Sequence, residues 1–173
     1  LYALAELAFL DAQTLLDDDQ PHRALERYTL ALVNAYEFLF TPRFQHSRNP
    51  YDPQFQEICR IYNQSLEQAM RIMAGDKQLR DGTTYSISVG EQQVNVQLRF
   101  PPQTQLAELK FVSDFRIQKL LRHHRTFGLG VPMIGIRGGQ QINPAIEQYY
   151  PPGMTLPLTA FLHVANQDPQ TGD

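Results

Sequence analysis

The spacing of apolar residues changes once along the chain, and this change constrains the fold more than any other feature. In the first 75 residues apolar side chains recur every three or four positions, which is the period of an α-helix. From about Thr83 they alternate with polar ones, which is the period of a β-strand. The sequence therefore predicts an α+β fold. An N-terminal three-helix segment, made of a helical hairpin and one further helix, precedes a small, largely antiparallel or mixed sheet of about five strands.

Helix-breaking residues divide the first part of the chain into three helices. We expect them from about Leu1 to Leu16, from about Pro21 to Phe40, and from Asp52, as a cap, to Gly75. The proline-containing segment from Thr41 to Pro53 is predicted to be a loop. The run Asp17–Asp19 is predicted to form a turn and to cap the second helix, with divalent-cation binding as the alternative.

Each helix carries an apolar stripe that we expect to face the core. In the first helix the period is marked by Leu4, Leu7, Ala8 and Asp11. In the second helix the stripe is Leu25, Tyr28, Leu32, Ala35 and Leu39. In the third helix the buried side is Phe55, Ile58, Cys59, Tyr62, Leu66, Ala69, Met70 and Met73.

The strands are expected in the second part of the chain. Two of them, Tyr85–Val89 and Val94–Leu98, form a hairpin around Gly90 and Glu91. The stretch from Leu106 to Arg125 is ambiguous between a strand and a short helix, and two further apolar strands are predicted at Val131–Ile136 and Leu156–Val164. The chain thus divides into a helical segment (1–75), a β-rich segment packed on it (76–164), and a polar tail or loop (165–173).

Composition excludes several classes of function. The formal net charge of −3, from 15 Lys and Arg against 18 Asp and Glu, leaves no basic field for a phosphate backbone, so nucleic acid is not expected as a partner. The single cysteine excludes an intramolecular disulfide and a zinc site made of several thiolates. No apolar run approaches the roughly 20 residues of a membrane span. The first residue is Leu1 rather than Met, as expected of a processed or cloned N-terminus, from which a targeting segment could have been removed.

The adjacent pair His123 and His124 is the strongest candidate in the sequence for a reactive or metal-binding cluster. Neighbouring side chains point in different directions on a helix or a strand, and Arg122 and Arg125 on either side repel a cation, so a metal site is not expected. Two interpretations stay open: a basic surface patch that meets an acidic partner or a lipid headgroup, or a solvated turn. Cys59 lies on an apolar stripe and is predicted to be a buried, inert thiol.

The remaining candidates have simpler explanations. His22 and His46 are expected to be exposed, and His163 is expected to be a hydrogen-bonded core or edge residue. Gly128 and Gly130 precede an apolar strand, which favours a turn over a phosphate-binding loop. Four aromatic residues near the end of the second helix are predicted to pack within a helix bundle rather than to form a ligand pocket: Tyr36, Phe38, Phe40 and Phe44.

Catalytic motifs are missing from the sequence. It contains neither the nucleophile elbow GxSxG nor HExxH, and none of its serines is flanked by the glycines of a strained turn. We therefore assign no catalytic residue, no cofactor-binding residue, no metal ligand and no cofactor.

Five segments, taken in order, carry a likeness to a known family. They are Ala31–Phe40, Tyr51–Phe55, Ile61–Leu66, Gly128–Pro132 and Leu156–Leu162. Together they resemble the N-terminal half of a group of bacterial α/β-hydrolase-like envelope lipoproteins. The resemblance implies that a serine-hydrolase domain follows this chain and transfers an acyl group from an ester to an activated serine. It also implies a place in the bacterial cell envelope, periplasmic or associated with the outer membrane, with membrane proximity through a removed N-terminal anchor.

Three functions follow, in this order. The first is a non-catalytic accessory or scaffolding portion of an esterase- or lipase-like hydrolase, whose partner is the C-terminal catalytic domain or another protein chain. It is favoured by the apolar strand Leu156–Val164, which no later strand can pair with. The second is a free-standing, tetratricopeptide-like helical hairpin that binds a protein in the envelope. The third is an independent enzyme that uses His123, His124 and Asp114.

Overall fold

The chain folds as helices first and strands second, which confirms the predicted α+β class. The computed structural model describes residues 1–75, 79–89, 92–100, 106–115, 128–138 and 153–164. The helices are α1 (Tyr2–Asp17), α2 (Pro21–Phe40) and α3 (Pro53–Ala74). The strands are β1 (Thr84–Val89), β2 (Gln92–Gln97), β3 (Leu106–Phe111), β4 (Val131–Arg137) and β5 (Thr155–Ala160). Two 3-10 helices, Pro42–Ser47 and Val112–Asp114, lie between these elements.

The ends of α3 follow the local signals in the sequence. The Asp52 carboxylate accepts a hydrogen bond from the Gln54 amide at 2.9 Å, and Pro53 occupies the first turn, where its missing N–H costs nothing. Gly75 ends the helix with a φ of 52°, a backbone conformation that favours glycine. The segment between α2 and α3, predicted as a loop, contains the first 3-10 helix, and Arg48 donates from Nε to the Phe38 carbonyl at 2.9 Å.

The aspartates between α1 and α2 form the predicted turn but do not cap α2. Asp17 ends α1, Asp18 caps it, and Asp19 takes a left-handed conformation with a φ of 58°, so the aspartates do form the turn. The prediction that they cap α2 is wrong, because the residue before α2 is Gln20 and its side chain makes no capping hydrogen bond. A left-handed residue is needed to reverse the chain over so few positions, and Asp tolerates it better than most.

The face of α1 that contacts the core is not the one that carries Leu4 and Leu7. Both leucines are exposed, as is Asp11, and of the four residues that marked the period only Ala8 is buried. The buried face consists of Ala5, Ala8, Phe9, Ala12 and Leu15. α1 packs against α2, whose buried residues also include three alanines: Ala24, Ala31 and Ala35. The leucines lie on the outer side of the hairpin.

The predicted stripes of α2 and α3 are largely confirmed. All the predicted residues of α2 are buried except Leu25, which is half-buried, and in α3 Phe55, Cys59 and Met73 are half-buried. Ile61 and Ser65 of α3 are fully buried although the sequence pattern did not place them in the core. The predicted aromatic residues do contact one another and α3, since Tyr36 contacts Phe40, Phe38 contacts Phe44 and Phe40 contacts Tyr62, but none of the four is buried and Phe40 is exposed.

The strands form two antiparallel sheets. β1 and β2 make a hairpin in which Val89 pairs with Gln92, as predicted, around a two-residue connection that lies outside the described residues. β3, β4 and β5 form a three-stranded sheet with β4 in the centre. The ambiguous stretch after Leu106 is therefore a strand up to Phe111. The predicted strand Leu156–Val164 ends at Ala160.

Pro132 and Pro157 fit the three-stranded sheet because each lies at a position where no hydrogen bond between strands needs a backbone N–H. The Arg137 amide donates to the Met154 carbonyl at 2.9 Å, so the alternation of an antiparallel ladder puts Pro132 and Pro157 in pairs without hydrogen bonds between β4 and β5. The nitrogen of Pro132 then faces β3, whose pairing stops at Phe111. The nitrogen of Pro157 faces the outer edge of β5, which is unpaired among the described residues.

The helices and the three-stranded sheet share one core. Val131 and Met133 of β4 and Phe111 of β3 are buried in the same apolar cluster as the helices. β4 lies against α3, and β1 of the hairpin lies against α2. The helix α3 is therefore the element on which the three-stranded sheet is positioned.

Several sequence predictions concern residues outside the described ranges. They are the pair His123 and His124 with the flanking arginines, the second half of the Leu106–Arg125 stretch, and the tail 165–173. Within the described ranges, none of the helices combines the length and apolar character that a membrane span requires.

Candidate functional site

A polar network at the C-terminal end of α3 binds the second 3-10 helix. The Arg71 guanidinium donates from Nη2 to Ser113 Oγ at 2.8 Å and to Asp114 Oδ1 at 2.7 Å, and from Nε to Glu67 Oε1 at 3.0 Å. It also lies over the Phe111 ring, 4.1 Å from its centroid. Burial lowers the pKa of Arg71, but the hydrogen bonds to Asp114 and Glu67 outweigh it and raise the pKa, so this group stays charged.

Ser113 and Glu67 in this network have the outward form of a nucleophile and a base. Ser113 Oγ donates to Glu67 Oε1 at 2.5 Å. The same carboxylate oxygen also accepts from Arg71, and the hydroxyl oxygen accepts from Arg71 as well. Both groups are thus held by the same guanidinium, and the carboxylate oxygen that would have to accept the serine proton is already hydrogen-bonded to Arg71. The arrangement can fix the 3-10 helix to α3, and it is poorly suited to nucleophilic attack.

Of the three groups in the independent-enzyme hypothesis, the structure describes only Asp114. Asp114 is in an ion pair with Arg71, and His123 and His124 lie outside the described residues. Burial raises the pKa of the half-buried Cys59 thiol, which keeps it protonated near neutral pH. In the described ranges no three His, Cys, Asp or Glu side chains come together as metal ligands.

Of the three isolated histidines, two lie where the sequence predicts them and one is more exposed than predicted. His22 and His46 are exposed, which confirms the prediction for both. His163 was expected in the core or at a strand edge, and this prediction is wrong. It follows the end of β5 and is exposed, because the strand stops four residues earlier than the apolar pattern suggested.

A second polar contact, formed by Asn63, fixes the entry to β4. The Asn63 side chain donates from Nδ2 to the Gly128 carbonyl at 2.8 Å and accepts from the Gly130 amide at 2.7 Å. We call this contact the Asn63 bridge. Gly130 has a φ of 99°, and a Cβ there would lie 2.5 Å from Thr159 Cγ2 and 2.8 Å from the Phe161 ring. The turn predicted at Gly128 and Gly130 is thus present, and it needs glycine for both conformation and space.

The residue before Asn63 fixes the segment after β5. Tyr62 is fully buried, and its phenolic oxygen accepts a hydrogen bond from the Leu162 amide at 3.0 Å. Burial raises the pKa of Tyr62, against a lowering effect of the Leu162 hydrogen bond, so the phenol stays neutral at physiological pH. Two neighbouring residues of α3 therefore hold the start of β4 and the end of β5, which lie side by side at one end of this antiparallel pair.

Two apolar surfaces remain exposed around this framework. One is formed by Phe161 and Val164, which flank the tethered Leu162; we call it the Phe161 surface. The other is formed by Leu4, Leu7 and Leu10 of α1; we call it the leucine face. The unpaired apolar segment Leu156–Val164 already indicates an exposed apolar surface at the end of β5. The leucine face was not predicted, because Leu4 and Leu7 were expected to face the core.

Comparison of the chain with protein-family models, with curated proteins and with solved structures found no match to any of them. The resemblance to hydrolase-like envelope lipoproteins therefore stays a prediction.

Proposed function

We propose that this chain is the non-catalytic accessory portion of an α/β-hydrolase-like protein, and that the Phe161 surface lies against the catalytic portion. The observation that carries the proposal is the position of Phe161. Its side chain is 57% exposed, yet the next residue is hydrogen-bonded to a fully buried tyrosine of α3. An apolar side chain held toward solvent by a fixed backbone is a feature of interaction surfaces.

The polar groups of the described residues support an accessory role. Arg71, Glu67, Ser113 and Asp114 bind one another, and Asn63 binds backbone. Each of them holds a strand or a turn on α3. The chemistry implied by the resemblance, acyl transfer to an activated serine, would then belong to the catalytic portion.

The edge of the sheet limits how the catalytic portion could bind. Pro157 presents no N–H at the outer edge of β5, so continuous pairing with another strand is interrupted there. Contact through the side chains of Phe161 and Val164 is the alternative. Burial of one phenylalanine contributes about 1.5 to 3 kcal/mol, enough to matter for the packing of two portions of one protein.

The complete gene product tests this proposal. We expect a fluorophosphonate probe to label a serine outside residues 1–173, and we expect the product to cleave a short-chain aryl ester. The double substitution of Phe161→Ser and Val164→Ser should lower this turnover by roughly tenfold, as expected for about 1.4 kcal/mol of lost contact. The matched control is Tyr51→Ser, another exposed aromatic residue, which should leave turnover unchanged.

Three outcomes would overturn the proposal. One is a complete gene product that neither reacts with the probe nor cleaves the ester. Another is labelling of one of the serines within residues 1–173. The third is an unchanged turnover in the Phe161 and Val164 double variant.

A further inference from the structure

The outer side of α1 is unusually apolar for a helix at the surface. Leu4, Leu7 and Leu10 are 58%, 65% and 52% exposed. With spacings of three residues they lie on successive turns of one side, opposite the buried alanines. A helix with apolar residues on both sides is normally covered on both. Single exposed leucines are common in soluble proteins, whereas three adjacent ones form a continuous patch.

The charges of α1 indicate what covers this patch. No Lys or Arg precedes Arg23, whereas the first 19 residues contain Glu6, Asp11 and the run Asp17–Asp19. Asp11 forms an ion pair with Arg27 at 2.8 Å. The three aspartates of the turn are exposed and form no ion pair within the described ranges. They lie between the negative end of α1 and the positive end of α2, so their own three charges determine the field there.

This charge pattern distinguishes three possible occupants of the leucine face: a membrane, a second copy of the chain and a partner protein with basic residues. Helices that lie on anionic membranes carry Lys and Arg beside the apolar face, and α1 has none. A second copy that docked in parallel through the same face would bring acidic residues close to acidic residues, and an antiparallel copy would leave Asp17–Asp19 beyond the end of its α1, in both cases without a compensating base from α1. A partner with basic residues beside an apolar stripe meets neither obstacle.

We propose that the leucine face is a docking surface for an amphipathic helix of another protein, whose apolar stripe packs on Leu4, Leu7 and Leu10 and whose Lys or Arg residues lie near Asp17–Asp19. The distances along the helix axis fit such a partner. At 1.5 Å per residue, the leucines span about 9 Å and the aspartates begin about 10 Å further on. The partner would therefore need about two apolar turns followed, about two turns later, by a basic cluster. Packing of an apolar helix face on another is a common mode of recognition.

The proposal does not depend on the hydrolase assignment. The leucine face belongs to α1 and shares no residue with the Phe161 surface. A basic partner on α1 is compatible with a catalytic portion at the end of β5, and either could be absent without the other. The two experiments use different substitutions and different measurements, so their failures can be told apart.

The test uses the full 173-residue chain and two labelled helical peptides of about 18 residues. Both peptides carry the same leucine stripe; one has lysines and the other has glutamates at the polar positions near one end. Fluorescence anisotropy should show at least tenfold tighter binding of the Leu/Lys peptide than of the Leu/Glu peptide. Substitution of the three leucines by serine should weaken Leu/Lys binding at least tenfold. The control Val33→Ser, at an exposed apolar residue of α2, should leave it unchanged.

The acidic contribution has its own variant. Changing the three aspartates of the turn to asparagine should weaken Leu/Lys binding about threefold to tenfold and reduce its dependence on salt. Asparagine tolerates the left-handed conformation at position 19, so the turn is preserved. If the triple serine variant does not fold, Leu7→Gln alone, at the most exposed of the three leucines, should still weaken binding at least threefold.

Several results would overturn the proposal. Equal binding of the two peptides would show that charge does not select the partner. Leu/Lys binding that the leucine substitutions leave unchanged would show that the leucine face is not the binding surface. A concentration-dependent dimer that the leucine substitutions dissolve would show that a second copy covers the face. Sedimentation of the chain with vesicles of phosphatidylcholine and phosphatidylglycerol, lost in the leucine variant, would show that a membrane does.

Discussion

The Asn63 bridge makes a prediction that can be worked out from its two hydrogen bonds. Asn63→Ala removes the donor to the Gly128 carbonyl and the acceptor for the Gly130 amide, at 2.8 and 2.7 Å. A typical intramolecular hydrogen bond contributes a net 0.5 to 1.5 kcal/mol, and a buried group left unpaired costs about 1 to 3 kcal/mol. The Gly128 contact is exposed, so water replaces it at little cost, whereas the Gly130 contact is partly buried. We expect the free energy of unfolding to fall by about 1.5 to 2.5 kcal/mol.

Urea denaturation followed by far-UV circular dichroism measures this loss. Gln56→Ala is the matched control, because Gln56 lies on the exposed side of α3 and is likewise an amide side chain. It should change the free energy of unfolding by less than about 0.5 kcal/mol. Hydrogen exchange adds a local measurement: the Gly130 amide should exchange faster in Asn63→Ala than in the control.

The result that would refute this reasoning is equal stability of Asn63→Ala and Gln56→Ala. Unchanged exchange at Gly130 would do the same for the local contact. Either would mean that the entry to β4 is fixed by packing of Val131 and Met133 in the core rather than by the Asn63 bridge.

Three further predictions concern stability. Gly130→Ala should lower the free energy of unfolding, measured by urea denaturation, by at least about 2 kcal/mol. The control Gly82→Ala, with a φ of 73° and nothing within 4 Å of the added Cβ, should lower it only by the roughly 1 kcal/mol of backbone strain. Equal losses would refute the close approach at Gly130. Ser65→Ala should be neutral or stabilising by up to about 1 kcal/mol in thermal melts, because the hydroxyl is buried with no hydrogen-bond partner among the described residues; a clear loss would contradict this. Arg60 lowers the pKa of Glu57, so the stabilising effect of this pair is present above the ordinary carboxyl pKa and is lost as the pH falls through the lowered pKa. Glu57→Gln should therefore destabilise the folded chain in thermal melts at neutral pH and not in acid. An equal effect at both pH values would refute the assignment.

The parts of the fold that could be predicted are those set by short-range chemistry. The start of α3 follows from Asp52 and the proline after it, and its end follows from Gly75. The hairpin of β1 and β2 follows from alternation on both sides of a two-residue connection. These signals act within a few residues, so they are visible in the sequence alone.

The surfaces and anchors could not be predicted in the same way. Asn63 and Gly130 are 67 residues apart, and nothing near either one indicates the other. The buried Ser65 and the outward leucines of α1 depend on which faces the neighbouring helices occupy. For Gly130 a local signal did exist, since a glycine directly before an apolar strand suggests a backbone that other residues avoid.

The two apolar surfaces have a common origin in how small residues pack. On α1, three of the five buried residues are alanines, and Leu4, Leu7 and Leu10 are left outside. At the end of β5, Gly130 leaves room for the Phe161 ring beside the backbone, while the Leu162 amide is bound by Tyr62. In both places close backbone contact inside the chain places a large apolar side chain outside. An exposed leucine or phenylalanine gains about 1.5 to 3 kcal/mol when it is buried, and this is the free energy on which both proposed contacts depend.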